Sequence, residues 1–194
     1  MNESLRMVIV LSLIAVISGG SLAVVDNFTK PKIEVNKVRA IKTGLKQLIP
    51  GAADFQKIEI QEKGDKFVVY RGLKDQQLMG WGFILSGSGF QDKISIIAAT
   101  DPAISKLLGI EVLEQKETPG LGDNIKKEGF RAQFKGLSVL KVIGFVKNKK
   151  PMPGSNMIQA ISAATISTKK LLSIINDNLK RLRGHQKIKQ NRVK

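Results

Sequence analysis

The sequence predicts an α+β protein with a single N-terminal transmembrane helix, followed by one domain in which helices flank a largely antiparallel sheet. Three observations lead to this prediction. The chain opens with a long uncharged apolar segment, its middle holds short runs rich in isoleucine and valine between turn residues, and its end carries a helical apolar stripe. Of the 194 residues, 42% are hydrophobic, so the part behind the first segment suffices for one domain with its own core.

The N-terminal segment is predicted to be a membrane anchor over residues 1–29. Met7–Val25 contains no charged residue, and as a helix it would span roughly 28 Å, close to the hydrocarbon thickness of a bilayer. A cleaved signal peptide is the alternative, with Ser21–Ala23 as its cleavage site. The apolar run continues past that site, which favours an uncleaved anchor. The basic residues after the anchor would by the positive-inside rule keep the domain in the cytoplasm, but that rule applies poorly to large domains.

The soluble domain is predicted over residues 30–182. A helix over Ile33–Leu48, ended by Pro50–Gly51, leads into the sheet. The strand-like runs are Lys57–Gln61, Lys66–Arg71, Gly82–Ser86, Lys93–Ala99, Ile110–Gln115 and Val139–Lys147. Between the last two runs, Asp123–Phe134 has apolar residues at helical intervals.

The last predicted element is an amphipathic helix over Ser162–Leu182. Its apolar stripe consists of Ile166, Leu171, Leu172, Ile174, Ile175, Leu179 and Leu182. Residues 183–194 follow as a basic tail. A solvated tail is the simplest interpretation of that charge, and contact with a membrane surface is the next.

The composition narrows the chemistry of the protein. It has no cysteine, hence no disulfide, iron–sulfur cluster or thiolate metal site, and its one histidine, His185, cannot build a multi-histidine site. The sequence offers no set of nucleophile, base and acid, so it gives no support for a hydrolase. If the protein transfers electrons, a bound organic cofactor must carry them. The net charge of +16 suits anionic lipid or an acidic partner, whereas sparse aromatics and the lack of a recognition motif argue against nucleic acid.

Two loops have the composition of a cofactor site. The first, over residues 117–122, consists of Glu117, Thr118, Pro119, Gly120, Leu121 and Gly122. Its glycines let a ligand approach the backbone closely. Thr118 and Leu121 add a hydroxyl and an exposed apolar side chain, as an aromatic ring with a polar edge requires. An ordinary turn is the alternative.

The second loop precedes the last helix and consists of Ser162, Ala163, Ala164 and Thr165. Ser162 is predicted to be the N-cap, with Thr165 in the first turn. The unpaired N–H groups and the positive end of the helix dipole suit a phosphate, and Lys169 and Lys170 add positive charge. An ordinary capped helix is the alternative.

Together, the two loops resemble those of the G subunit of the Rnf ion-translocating electron-transport complex, a relative of the C subunit of the sodium-pumping NADH:quinone oxidoreductase. The resemblance covers essentially the whole chain. It includes the N-terminal anchor, Gly80–Phe83 ahead of a strand, and Gly109–Lys116 leading into the first loop. The resemblance implies an FMN-binding domain that relays electrons through its flavin and catalyses no reaction on a small substrate.

The resemblance also implies covalent attachment of the flavin. In the family, a separate flavin transferase that uses FAD and a magnesium ion esterifies the FMN phosphate to the last threonine of an Asp-x-x-Ser/Thr-Gly-Ala-Thr motif. On this chain the acceptor is Thr165, with Ser167 and Thr168 as fallback acceptors. The loop over residues 117–122 would line the flavin ring and the ribityl chain. The cofactor-binding residues implied are Thr165, Ser162, Ala163, Ala164, Glu117, Thr118, Gly120, Leu121 and Gly122.

Two positions depart from the family motif. Gln159 stands at its Asp and Ala163 at its Gly. A structural subunit of the same complex without covalent flavin therefore stays open as an alternative. A second alternative, based on the charge, is an anchored module that binds anionic lipid or envelope polymers.

The resemblance finally implies partners and a location. The partners would be multi-span membrane subunits and other flavin and iron–sulfur subunits, with the flavin transferase needed for maturation. The chain would be a single-pass protein of the cell (inner) membrane with its soluble domain on the extracytoplasmic side.

Overall fold

A computed structural model describes residues 2–62 and 65–184. The chain divides into two compact units, Met1–Ala40 and Ile41–Lys194. His185 and most of the predicted basic tail lie outside the described residues.

The first helix, α1, spans Glu3–Leu48, so the predicted anchor and the predicted helix behind it are one element. Pro31, which lies between the predicted anchor over residues 1–29 and the predicted helix over Ile33–Leu48, is inside α1. An ion pair between Asp26 and Lys30, one turn apart, supports the helix just before Pro31, and the Thr29 hydroxyl donates to the Val25 carbonyl at 2.6 Å. Among the described residues, α1 is the helix long and apolar enough to cross a membrane, and its apolar stretch is unburied.

The second unit is built on a five-stranded antiparallel meander. Its strands are β1 (Asp54–Glu62), β2 (Asp65–Lys74), β3 (Gln77–Ser88), β4 (Lys93–Thr100) and β5 (Leu107–Glu114). They lie in sequence order, and each pairs with the next in an antiparallel ladder. The predicted antiparallel sheet and its first five strands are confirmed.

Both faces of the sheet are covered, as the alternation along β4 shows. Ile96 and Ala98 belong to the larger core cluster, which also holds the buried stripe of the last helix. Ile97 belongs to a second cluster with Leu45 and Ile49 from the end of α1 and the residue after it. Neighbouring residues of a strand point to opposite faces, so β4 is buried on both sides.

The remaining elements are shorter. In chain order they are a 3₁₀ turn (Gly122–Lys126), α2 (Glu128–Arg131), a second 3₁₀ turn (Ala132–Phe134), β6 (Gly144–Val146), β7 (Met157–Gln159) and α3 (Thr165–Gly184). β6 and β7 form a parallel pair that the sequence did not predict.

The predicted long strand over Val139–Lys147 is wrong except for β6. Its backbone is bonded by side chains instead of a ladder. Asn176 accepts the Ile143 N–H at 2.9 Å and donates to the Ile143 carbonyl at 3.0 Å. Asn156 donates to the Val142 carbonyl at 3.1 Å. Val139 and Ile143 are therefore buried without belonging to a strand, because other groups satisfy backbone N–H and C=O groups of this segment.

Candidate functional site

The last helix begins at Thr165, so the predicted N-cap role of Ser162 is wrong. The Ala164 carbonyl accepts the first helical hydrogen bond, from the Thr168 N–H at 3.2 Å. Ala164 therefore occupies the N-cap position without a side-chain oxygen to cap the helix. The first amide groups of α3 therefore have no N-cap side-chain oxygen as an acceptor.

The residues before α3 form a tight turn. The Ala164 N–H donates to the Ile161 carbonyl at 3.1 Å, with Ser162 and Ala163 between them. Ala163 has a φ of 63°, which a side chain disfavours by roughly 1–2 kcal/mol. The third position of a type II turn has a positive φ and is usually glycine. The Gly-to-Ala departure from the family motif thus falls on a strained residue.

The hydroxyl groups around the helix start differ in availability. Thr168 is buried, and its hydroxyl accepts an N–H and donates to a carbonyl of the preceding turn, at 3.2 and 3.3 Å. Ser167 is buried and donates to the Glu117 carboxylate at 2.5 Å. Thr165 is half-buried, Ser162 is exposed, and neither hydroxyl bonds to a described residue.

The start of α3 also presents free amide groups. The N–H groups of Thr165, Ile166 and Ser167 find no acceptor in the part of the chain that the structure describes. Lys169 and Lys170, one turn on, are exposed. Free amides at the positive end of a helix dipole, with cations nearby, suit a phosphate group.

Glu117 joins the two predicted loops. Its side chain is buried, with 4% exposed, and receives the Ser167 hydroxyl on Oε2. Its Oε1 accepts the N–H groups of Phe90 and Gln91 at 2.8 and 3.2 Å. The Gln91 side chain donates in turn to the Thr118 hydroxyl at 2.8 Å. The structure thus brings residues 117–122, the β3–β4 turn and the start of α3 together.

The rest of the first loop is shaped by its glycines. Gly120 has a φ of 75° and open space around it, and Leu121 next to it is 42% exposed. Gly122 packs closely on α3, because a Cβ there would lie 2.6 Å from Ser167 Oγ. The loop therefore packs against the helix start through Gly122 and presents the apolar side chain of the neighbouring Leu121 to solvent.

Phe90 and Ile166, which the sequence did not place in the site, extend its apolar surface. They are 56% and 53% exposed and, with Leu121, belong to the three segments that Glu117 joins. The assignment of Ile166 to the buried stripe is wrong, although the rest of the stripe is buried as predicted. Ile166 lies nine residues before Ile175, which is two and a half helical turns, so the two face opposite ways. That spacing is the signal that could have identified it.

Asp123, directly after the first loop, is a further residue that the sequence did not place in the site. Its Oδ1 is buried and has no hydrogen-bond partner within residues 2–62 and 65–184. Buried polar atoms normally have partners, so an orphaned acceptor suits a ligand with hydrogen-bond donors. These groups together fit a flavin nucleotide. The free amides and a hydroxyl suit its phosphate, the apolar surface suits its ring, and the acceptor beside them suits one of its hydrogen-bond donors.

Comparison with protein families agrees with this geometry. The FMN-binding domain family matches residues 89–180, a segment that contains both loops, the β3–β4 turn and most of α3. Residues 89–180 are therefore similar to the FMN-binding domain family.

The relatives point to a particular group of proteins. The chain is 26% identical over 180 residues to the G subunit of the ion-translocating oxidoreductase complex of Methanosarcina acetivorans, covering 90% of this chain and 92% of the relative. It is 28% identical over 183 residues to the G subunit of the Na(+)-translocating ferredoxin:NAD(+) oxidoreductase complex of Acetobacterium woodii, covering 87% and 86%. The predicted resemblance to the Rnf G subunits is confirmed.

Solved structures agree on the fold. NqrC of Shewanella oneidensis superposes with a TM-score of 0.56 at 19% identity, over 66% of each chain. The C subunit of the Na(+)-translocating NADH-quinone reductase from Parabacteroides distasonis gives a TM-score of 0.56 at 24% identity, over 64% of this chain and 73% of the other. The predicted α+β fold is confirmed.

Proposed function

We propose that this chain is the flavin-carrying electron-transport subunit of an Rnf-type ion-translocating oxidoreductase complex. The similarity to the G subunits of such complexes, the FMN-binding domain and the long apolar helix support it. Bound FMN would supply the redox chemistry, passing electrons between neighbouring cofactors of the complex. The protein binds and orients the flavin and excludes water from part of it.

Thr165 is the proposed attachment point for FMN, through a phosphoester bond. The observation that carries this proposal is the contrast among the hydroxyl groups at the helix start. The fallback acceptors Ser167 and Thr168 are buried, and their hydroxyls are bonded within the protein. The Thr165 hydroxyl is partly exposed and lies at the free amides of α3. Ser162 is the rival acceptor, because its hydroxyl is exposed as well.

Attachment needs a flavin transferase as a partner during maturation. In the proposed step, the Thr165 oxygen forms a bond to the FMN phosphorus of FAD, and the bond from that phosphorus to AMP breaks. The hydroxyl proton passes to a base of the transferase, and AMP leaves. No electrons are exchanged, so the flavin enters the complex in its starting redox state.

Different groups around Thr165 would bind different parts of FMN. The free amides of α3 would hold the phosphate, and Leu121, Phe90 and Ile166 would contact the apolar part of the ring. Asp123 Oδ1 would accept a hydrogen bond from a flavin or ribityl donor. The remaining residues of the loops shape the backbone that the flavin approaches.

The location of the protein follows from the same proposal. The apolar segment of α1 would cross the cell (inner) membrane once, with the FMN-binding domain on the extracytoplasmic side. Ion translocation would belong to the multi-span subunits, because Met7–Val25 contains no charged residue that could form an ion path. Other flavin and iron–sulfur subunits would give and take the electrons.

A structural subunit without covalent flavin is the second candidate, and the strained turn favours it. Ala163 holds a positive φ that glycine would adopt without cost, and Gln159 replaces the acidic residue of the motif. A transferase that reads this turn would encounter an altered substrate. In that case the protein would be colourless when it is purified from its own host.

Mass spectrometry of the protein from its native host tests both candidates. We expect a gain of one FMN less one water on the peptide that contains Thr165. Thr165→Val should abolish that gain and leave the fold unchanged, because the side chain is only half-buried and keeps its shape. Ser162→Ala and Ser167→Ala are the matched controls and should retain the flavin.

Three outcomes would count against parts of the proposal. A gain that persists in Thr165→Val and disappears in Ser162→Ala would move the attachment to the turn. If the wild-type protein binds FMN only noncovalently, the proposed electron-carrier function stands, and the proposed phosphoester bond to Thr165 is wrong. Wild-type protein without any flavin would favour the structural subunit.

A further inference from the structure

Glu117 is a buried acid whose contacts all lie within the protein. It is 4% exposed and forms no ion pair with any described residue. Burial of a carboxylate is unfavourable unless donors replace the water that it loses. Three donors do so: the N–H groups of Phe90 and Gln91 and the Ser167 hydroxyl. A charged acceptor with three donors from two distant segments holds those segments firmly.

The backbone closes around this carboxylate. A Cβ at Gly89 would collide with Glu117 Oε1, and a Cβ at Gly122 would lie 2.6 Å from Ser167 Oγ and 2.8 Å from Glu117 Cβ. Neither position leaves room for a side chain. The β3–β4 turn, the 117–122 loop and the start of α3 therefore meet at one buried point.

Each of the three segments that meet there carries one exposed apolar side chain, next to a group that either bonds to Glu117 or packs against it. Phe90 bonds to the carboxylate through its own N–H, and Ile166 directly precedes Ser167. Leu121 directly precedes the tightly packed Gly122. We call Phe90, Leu121 and Ile166 the apolar rim.

We propose that Glu117 is a positioning residue that sets the apolar rim and the amide end of α3 for the flavin, and that its negative charge lowers the flavin potential. This rests on the proposed function. Glu117 is not a ligand of the flavin here, because its two oxygens are directed at the protein. A fixed negative charge close to the site disfavours the gain of negative charge on the flavin when it is reduced.

Two variants separate the charge of Glu117 from its bonds. Glu117→Gln removes the charge and keeps an oxygen acceptor for the amide groups. Ser167→Ala keeps the charge and removes one donor. Glu114→Gln is the matched control, since it neutralises an exposed glutamate at the end of β5.

The first readout is amide hydrogen exchange of the flavin-free full-length protein in detergent. In Glu117→Gln we expect roughly tenfold faster exchange at the Phe90 and Gln91 amides, because their hydrogen bonds to a neutral amide oxygen are weaker than those to a carboxylate. The amides of β4 should exchange at the wild-type rate. Unchanged exchange in both Glu117→Gln and Ser167→Ala would overturn the positioning role.

The second readout is the flavin itself. In Glu117→Gln the midpoint potential of the bound flavin should rise, whereas in Ser167→Ala it should stay close to wild type. The visible circular dichroism should change in both variants, because both loosen the rim. A potential that is the same in Glu117→Gln and the wild type would overturn the electrostatic role. If the wild-type protein carries no flavin, the proposed function fails, and hydrogen exchange still decides on Glu117.

Discussion

β4 and the start of α3 both contain isoleucine and alanine, but they differ in burial and in backbone hydrogen bonding. In β4, every residue from Ile96 to Thr100 is buried, and both edges of the strand are paired. At the start of α3, Ala163 has a positive φ, Ile166 is exposed, and the first amides have no acceptor among the residues described. In β4, the residues suit a strand, the apolar side chains are buried, and the backbone groups are paired. At the start of α3, one alanine has an unfavourable φ, one isoleucine is exposed, and the first amide groups are unpaired within the described residues.

The difference teaches where to look for function in this chain. A sequence specifies one structure when its local and global preferences agree, and natural proteins depart from this at functional sites. Strain, exposed apolar groups and orphaned polar groups coincide within a few residues of Thr165. Each departure alone has an ordinary explanation, but their coincidence favours a ligand site.

The largest expected effect contrasts two isoleucines, one from each region. Ile97→Ala should lower the free energy of unfolding by about 2–5 kcal/mol, because Ile97 is fully buried and its removal leaves a cavity. Ile166→Ala should change it by less than about 0.5 kcal/mol, because that side chain is half-exposed. Urea unfolding of the full-length protein in detergent, followed by the fluorescence of the buried and only tryptophan, Trp81, measures both.

The comparison would break if the two variants behaved alike. Equal losses would mean that Ile166 packs in solution, and the apolar rim would then be part of the core. Ile166→Ala should instead alter the flavin spectrum of the loaded protein, which Ile97→Ala in a still-folded sample should not.

Much of the sheet could be predicted because its signals are local. The isoleucines of β4, and the turn residues between the strands, indicate each strand without knowledge of the others. The Val139–Lys147 run is also rich in branched apolar residues, yet only β6 forms, because Asn156 and Asn176 bond its backbone from elsewhere. No local pattern can show that.

The site could be predicted only in part for the same reason. The loop compositions indicated the two segments, and the resemblance indicated Thr165. The contact between Glu117 and Ser167 joins residues fifty positions apart, so sequence spacing gives no sign of it. The helix start was misplaced because Ser162 has the chemistry of an N-cap, whereas in the structure it lies in the turn that precedes α3.

A smaller effect of opposite sign is expected at the strained turn. Ala163→Gly should raise the free energy of unfolding by about 0.5–1 kcal/mol, because glycine adopts a φ of 63° without the penalty of a Cβ. Ala103→Gly is the matched control at an exposed alanine without a positive φ, and it should lower stability by a similar amount. Urea unfolding of the full-length variants measures both.

The same variant sharpens the functional comparison. If the transferase recognises the turn, Ala163→Gly should also raise the fraction of protein that carries flavin, alone or with Gln159→Asp. A loss of stability in Ala163→Gly would show that the turn is not strained in solution, and the contrast with β4 would then rest on exposure and free amides alone.

The smallest effect concerns Asp92, which lies in the β3–β4 turn between the two regions. The hydrogen bond from the Lys93 N–H, at 2.7 Å, and the ion pair with Lys116, at 3.1 Å, lower the pKa of this carboxyl. A folded-state pKa below the unfolded value stabilises the protein above the unfolded pKa, and this contribution is lost as the pH falls through the folded pKa. Wild type should therefore lose stability relative to Asp92→Asn as the pH drops below about 4.

The effect should be weak, because both partners of the ion pair are exposed to solvent. High salt should reduce the share due to Lys116 and leave the share due to the Lys93 N–H. Asp54→Asn, at an exposed aspartate at the start of β1, is the control for removing a surface charge. If the pH profiles of the wild type and Asp92→Asn were parallel, the turn that carries Phe90 would not depend on this carboxylate. Its position would then depend on Glu117, on the Gln91–Thr118 hydrogen bond and on the bond from the Gly89 N–H to the Asp92 carbonyl, which would sharpen the division between a core held by packing and a site held by hydrogen bonds.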